Sequence, residues 1–353
     1  MVPGWNTITA KEGAMASKYE GHPQYVPIIK WQMWEQRALK ELFAPVAGRT
    51  LPCIEARLPA QHASMLANFA NVWKQAALID YSDPQGKLTP TRLNELIQFL
   101  KLVGGSGSLS IPVLNPATAA ADFPLISPHL GDRNVALRLR LSNIEHVPYG
   151  IAIVQAALAV PGLAAKANRL IVDLGPTPAY GAAEKNALAG MLLALKALGF
   201  AHIHLASGAF PMSLAHINGA GEVKRKDWDL WASVEALAPA ALVGFSDYGP
   251  LSPNWSEETL TRRGSRVTIR YALDDKWRIV RGQYATKAES NAISGIFLTN
   301  YPTEFQGKPF SFGDRLIADR VDPTVAAKDK TGGHYHITEF WTHHISYVLQ
   351  KQY

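Results

Sequence analysis

The residues with the most capacity for chemistry gather between 243 and 284 of this 353-residue chain, where the motif VGFSDYGP precedes an arginine-rich segment. The apolar run 241–245 stops abruptly at Ser246, Asp247, Tyr248, Gly249 and Pro250, the pattern of a buried strand ending in a polar loop. A carboxylate at a strand end is placed for acid–base work. Beyond the loop, residues 266–271 alternate, with Arg266, Thr268 and Arg270 on one face and Val267, Ile269 and Tyr271 on the other. Asp274 and Asp275 make a turn, and residues 277–283 return carrying Arg278 and Arg281. With Arg262, Arg263 and Lys276, seven positive charges fall between 262 and 281. Guanidinium forks donate paired hydrogen bonds to phosphate or carboxylate groups, so this ribbon is read as an anion-binding element, with a solvated hairpin face as the equal alternative.

Other charges sit where further strands end. Lys30 closes the run 25–30, Glu55 and Arg57 the run 51–57, Asp80 the run 76–81, Asn115 the run 109–115, Asp173 the run 169–174 and Asp247 the run 242–247. The run 135–141 (VALRLRL) places Leu137, Leu139 and Leu141 on one face and Arg138, Arg140 and Ser142 on the other. The leucines should meet a helix layer, which sends both arginines inward. Lys30, Arg57, Arg138 and Arg140 then face Glu55, Asp80, Asp173 and Asp247, four charges of each sign. The functional expectation makes Glu55 and Asp247 an acid–base pair, since carboxylates in different environments can divide those roles. Asp173 and Asp80 would orient them or hold a divalent ion, while Lys30 and Arg140 stabilise developing negative charge. The ligand-binding set comprises Arg57, Asp80, Arg138, Arg140, Tyr248, Arg270, Tyr271, Arg278 and Arg281. The competing reading is a buried ion network that holds strand register.

The elements that must position these groups alternate in kind. Helical periodicity follows the strands at 35–43, 64–74, 91–103, 148–160, 183–198, 228–238 and 334–350, with 116–132 the least regular. Thr89 and Pro90 open the helix 91–103, and Gly199 closes the helix 183–198. A strand at 201–206 completes eight strand–helix pairs, which predicts an α/β fold: a (βα)8 TIM-barrel-like domain with a β-hairpin insertion after strand eight. A doubly wound open sheet is the alternative. The expected organisation is a flexible arm over 1–24 and one barrel domain over 25–353, with the basic insertion around 251–333.

Composition agrees with a packed globular chain: 47% hydrophobic and 18% charged residues. A net charge of +6 mildly favours an anionic partner. Cys53 is the sole cysteine, which rules out an internal disulfide and a multi-cysteine zinc site and fits a reducing cytoplasm. No apolar run approaches the roughly 20 residues that span a bilayer, so no membrane partner is expected. The GGSG run at 104–107 lacks the lysine of a phosphate loop and reads as a turn. His202 and His204 read as a core or pocket-lining pair, and His334, His336, His343 and His344 as helix-surface residues rather than metal ligands.

Taken together, YVPIIKW, LPCIEAR, the VDL ending at Leu174, FSDY, the IRY…W.IVRG hairpin and the late W.HH resemble the "beta protein" family of bacteria and phages, from about residue 25 to the end. The resemblance implies no catalytic assignment. It implies that Lys30, Glu55, Asp173, Asp247, Tyr248, Arg270, Tyr271, Trp277 and Arg281 belong to a shared pattern, and it suggests a setting in phage–bacterium conflict. The leading functional expectation is a barrel that binds a phosphorylated or nucleotide-like ligand, with hydrolysis of a phosphodiester or glycosidic bond as the first reaction class to test and the cofactor left open. The alternative is a non-enzymatic module whose basic hairpin docks nucleic acid, or a component of a protein complex anchored by Trp228, Trp231 and Trp255.

Overall fold

A computed structural model describes residues 19–103, 109–141, 143–254 and 266–353. Eight parallel strands close into a barrel: β1 (Val26–Lys30), β2 (Cys53–Glu55), β3 (Ala77–Asp80), β4 (Ser110–Leu114), β5 (Val135–Arg140), β6 (Ala167–Pro176), β7 (His202–Gly208) and, beyond β8 (Ala220–Lys224), which lies elsewhere, β9 (Gly244–Asp247). Each strand pairs with its neighbour, and β9 closes the ring on β1 through Val26↔Ser246 and Pro27↔Asp247. The helices among the described residues are α1 (Met33–Lys40), α2 (Ala44–Gly48), α3 (Pro59–Val72), α4 (Pro90–Leu102), α5 (Ala119–Ile126), α6 (Val147–Leu158), α7 (Leu163–Lys166), α8 (Ala182–Lys196), α9 (Lys226–Leu237), α10 (Lys287–Asn300), α11 (Phe312–Val321) and α12 (His336–Tyr347). The predicted (βα)8 TIM-barrel-like architecture is therefore the one observed.

Local chemistry accounts for much of this. Pro90 occupies the first helical position of α4, where no backbone donor is needed, and Thr89 Oγ1 accepts from Arg92 N at 3.4 Å. The two-residue period of each strand then sorts its side chains. Leu137 and Leu139 of β5, Leu170 and Val172 of β6 and Leu205 of β7 join the main hydrophobic cluster with Leu188 and Leu192 of α8. Their alternates turn inward, where Ile28, Cys53, Leu78, Val113, Ala136 and Ile171 form an apolar layer of their own. Parallel register stacks a second inward layer above it: Lys30 lies opposite Glu55, and Glu55 opposite Asp80. The lower barrel is thus sealed by hydrocarbon, and the charges lie at the carboxyl ends of the strands.

The insertion is larger than a hairpin. β10 (Thr268–Ala272) and β11 (Lys276–Arg281) pair antiparallel as expected, but β11 also pairs with β8, giving a three-stranded sheet of order β10-β11-β8. The strand β8, from the segment between β7 and α9, escaped the sequence reading because its AGEVK has no apolar face to bury, only partly covered and exposed positions. This sheet builds a separate core with α10 and α11 around Phe210, Ile269, Tyr271, Trp277, Ile279 and Phe297. Between it and the barrel lies α12, buried at eleven of its twelve residues. No helix among the described residues is long and apolar enough to cross a membrane.

The loop after β9 reaches α12 through Gly249, whose φ of +54° and close approach to the Trp341 ring leave no room for a side chain: a Cβ there would lie 2.5 Å from Trp341 Cζ3. Gly249→Ala is expected to lower the unfolding midpoint by the equivalent of about 1–3 kcal/mol, the usual cost of overpacking a filled core. Denaturant titration against the parent checks this; an unchanged midpoint would show that the barrel–α12 seam yields freely.

Candidate functional site

One arginine organises the barrel's upper layer. Arg138, on β5, is 1% exposed and surrounded by carboxylates from three other strands. Its Nη1 donates to Glu55 Oε1 of β2 at 2.9 Å and to Asp80 Oδ2 of β3 at 2.7 Å, and its Nε donates to Asp173 Oδ2 of β6 at 2.9 Å. Its Nη2 donates to the Tyr248 hydroxyl at 2.8 Å, and that hydroxyl donates to Asp173 Oδ2 at 2.7 Å. Lys30 Nζ lies 3.6 Å and Arg57 Nη2 2.8 Å from Glu55 Oε2. Arg140 Nη2 donates to Asp80 Oδ2 and to Ser82 Oγ, each at 3.0 Å. Both expectations for β5 hold: its leucines face the helices, and its arginines face inward and pair with carboxylates.

The geometry sets the charge states. Burial alone would raise the Glu55 carboxyl, but Arg57, Lys30 and Arg138 together hold it well below the usual carboxylate range. Burial acts likewise on Asp80, and Arg140 and Arg138 overcome it. Tyr248 moves the other way: burial and the Asp173 charge keep its hydroxyl protonated far above its ordinary range. Glu55 is therefore a fixed anion rather than a proton donor, and Tyr248 a fixed donor. Above this layer opens a cavity of about 470 Å³ whose wall includes Arg57, Arg138, Arg140, Asp173, Tyr248 and Asn254. Asp173 Oδ1 accepts from Gly175 N at 2.9 Å, where the register of β6 shifts and its end bends towards the rim, and Asn115 Nδ2 donates to Gly86 O at 3.0 Å, which ties the loop after β3 beside Arg140. Sequence reasoning missed Ser82 and Asn254; a serine two residues after a strand-end aspartate is the signal for the former.

Asp247 requires a correction. The alternation that turns Tyr248 into the lumen turns Asp247 outward with Phe245, into the helix layer. It is fully buried there and accepts from the Tyr25 hydroxyl at 2.5 Å and Gly249 N at 3.1 Å, with His344 Nε2 at 2.8 Å and Arg225 Nη2 at 3.7 Å. It is thus not grouped with Glu55 and cannot form an acid–base pair with it across the mouth. Asp227 shares Arg225, with its Oδ2 at 3.9 Å. Two buried carboxylates on one guanidinium divide unequally. Burial pushes Asp227 up to about 7, against the pull of Arg225, whereas His344, Arg225 and Tyr25 outweigh burial at Asp247 and lower it.

The arginine ribbon is also corrected. Arg278 forks onto Glu304 at 2.8 and 2.6 Å, and Lys276 reaches Glu222 at 3.1 Å. Arg281 donates to the carbonyl of Leu214 at 2.6 Å. Arg270 lies between the rings of Phe210 and Phe340, at 4.7 and 4.9 Å, and donates to Pro250 O at 2.6 Å. Tyr271 is buried, stacked on His343 and bonded to Asp314 Oδ1 at 2.6 Å. None of these five side chains lines the mouth cavity. Through Arg270 the added sheet grips the loop leading from β9 to the rim. Arg262, Arg263, Trp255, Ser142 and the GGSG turn lie outside the described residues, as does most of the 1–24 arm.

The late histidines are not surface residues, His334 excepted. His336 sits with Glu339, which pairs with Arg320; His343 lies 2.9 Å from Asp314 Oδ2; and His344 serves Asp247. Helical periodicity hid this because α12 is covered on both sides. His204 is buried and faces Gln24 O at 2.9 Å. Trp231 is core and Trp228 packs against it, 4.8 Å between centroids. No group of three or more His, Cys, Asp or Glu side chains suited to a metal ion occurs among the described residues.

The family model described as Beta protein matches residues 25–350, and the chain belongs to that family. No curated protein matches it.

Two outcomes follow from the buried carboxylates. Asp247→Asn should cost about 3–5 kcal/mol of stability, as expected when one member of a buried charge network is lost, while the folded fraction keeps its ligand affinity; chemical denaturation with binding measured in parallel checks both. Asp227 has a folded-state pKa raised above its unfolded value of roughly 3.9, so its protonated form stabilises the fold at low pH. That contribution is lost as pH rises from about 4 through about 7. Asp227→Asn should therefore flatten the stability–pH curve in that window and stabilise the protein above it. A variant curve parallel to the parent's would remove Asp227 as its cause.

Proposed function

We propose that this Beta protein barrel binds a small anionic ligand in the mouth at the carboxyl ends of its strands. One observation carries the reading: among the described residues, the charged lining of the cavity consists of three arginines and one aspartate. In the layer beneath, the ion pairs among the described residues join Lys30, Arg57, Arg138 and Arg140 to Glu55, Asp80 and Asp173, and Asp247 lies outside it. Lys30 and Arg138 are spent on the carboxylates at depth. Arg57 and Arg140 stand higher, their side chains 10% and 19% exposed, and supply the ligand's hydrogen bonds.

Binding is better supported than hydrolysis. The expected acid–base pair of Glu55 and Asp247 is divided between the two faces of the barrel wall, and Glu55 is held ionised. Tyr248 and Asp173 remain as groups that orient a ligand against Arg138. Docking of nucleic acid on the arginine ribbon is supported less, because Arg278 and Lys276 already face acids and Arg270 and Arg281 face carbonyls. The family's association with phages and mobile regions makes phage–bacterium conflict the setting in which to seek the ligand.

Arg140→Gln tests the reading. It should reduce affinity for small oxyanions roughly tenfold or more, with little change in melting temperature, because the side chain is partly exposed and Asp80 keeps Arg138. Calorimetric titration that found parent and variant equal would overturn the assignment.

A further inference from the structure

The outer edge of the added sheet is a surface that the ligand site does not involve. The register of β8 on β11 sets Glu222 opposite Arg278, Val223 opposite Trp277 and Lys224 opposite Lys276. At the two ends of this ladder Arg281 N donates to Gly219 O at 2.6 Å and Arg225 N donates to Asp275 O at 2.8 Å. The odd-numbered residues of β8 therefore aim their N–H and C=O at β11, and by the antiparallel alternation Ala220, Glu222 and Lys224 aim theirs away from it. Those outward groups have no hydrogen-bond partner among the described residues, and all three residues are exposed. A strand edge of this kind is a template for another strand.

We propose that this edge docks a second copy of the chain, the two β8 strands pairing antiparallel about a two-fold axis at Val223 and joining two three-stranded sheets into one. The charges select both the occupant and the register. Glu222 takes Lys276 at 3.1 Å and Arg278 at 3.7 Å, whereas Lys224 stands opposite Lys276 and enters no ion pair among the described residues. Like charges set opposite each other on neighbouring strands repel, and a carboxylate on the free side of Lys224 relieves this. β8 itself carries one, two residues away. Outward groups of two identical strands meet only when the axis passes through a residue, which leaves few registers. An axis at Val223 puts Glu222 of each copy opposite Lys224 of the other, both in hydrogen-bonded pairs. It also brings the two Val223 side chains together on the face that packs against the second core. An axis at Glu222 or Lys224 would oppose like charges, and one at Gly221 would oppose two residues without side chains.

Sedimentation equilibrium of the full chain over a range of concentrations tests this. The parent should associate to twice the chain mass. Glu222→Lys and Lys224→Glu should each weaken dimerisation roughly tenfold or more, because each sets like charges opposite across the axis, and the double exchange should restore it to within about threefold of the parent. Both side chains are exposed, so the variants should keep the parent's melting temperature. Glu222→Pro supplies the backbone arm: the N–H it removes is directed away from β11, so the fold should be retained and the dimer lost. A parent that stays monomeric throughout overturns the proposal and leaves the edge to an extended segment of another protein. A dimer that survives all these substitutions overturns it as well, by placing the interface elsewhere. So does a double exchange no tighter than the single ones, which excludes the register at Val223.

Discussion

A single guanidinium buried among three carboxylates is the constraint on which the upper barrel depends. Arg138 links β5 to β2, β3 and β6, and through Tyr248 to the chain leaving β9. None of these groups is affordable alone, because an isolated buried charge costs several kcal/mol or more (order of magnitude) and would neutralise instead. Each is tolerable only with the others in place, so the arrangement fixes register as well as charge: a one-residue slip of any strand would turn its polar member into the helix layer and a leucine or isoleucine into the cluster. The ion network and the proposed ligand site are therefore not competing descriptions. The same rigid layer that holds the strands also holds Arg57 and Arg140 with their outer edges towards solvent.

The upper layer is legible in the sequence as far as two-residue periodicity reaches. On β5, VALRLRL by itself assigns leucines to the helices and arginines to the lumen. On β9 the polarity of Asp247 points to the site, but the same period puts its neighbour Tyr248 there and turns Asp247 outward. The ribbon arginines misled for a different reason. Their partners Glu304 and Glu222, and the carbonyls of Leu214 and Pro250, come from segments with no sequence relation to the hairpin. Neutralisation by distant elements leaves no local signal, whereas alternation along a single strand does.

The buried histidines show a related limit. α12 is read correctly as a helix, yet its polarity suggests an exposed face, because a helix covered on all sides usually appears apolar throughout. Here it is covered by a barrel on one side and a second sheet on the other, and its polar groups are used as connectors. His344 reaches Asp247 of β9, His343 reaches Asp314 of α11 and the carbonyl of Ala272 in β10, and Glu339 reaches Arg320 of α11. Specific polar contacts at such a seam fix how the added sheet sits on the barrel, which apolar packing alone would leave less defined.

These clusters differ in a way that separates scaffold from site. At the seam, Arg320 faces Glu339, and Arg225 faces an ionised Asp247 while Asp227 is held protonated towards neutrality. Each of these two arginines thus has one ionised carboxylate, and both arginines are fully buried. The mouth differs in being open to solvent, with three arginines and one aspartate as the charged lining of its cavity among the described residues. Arginines gathered at an open strand-end face repel one another, and a bound anion would offset part of that cost. It is this contrast between sealed charge at the seam and accessible, arginine-rich charge at the strand ends that supports the proposed binding role of the barrel mouth.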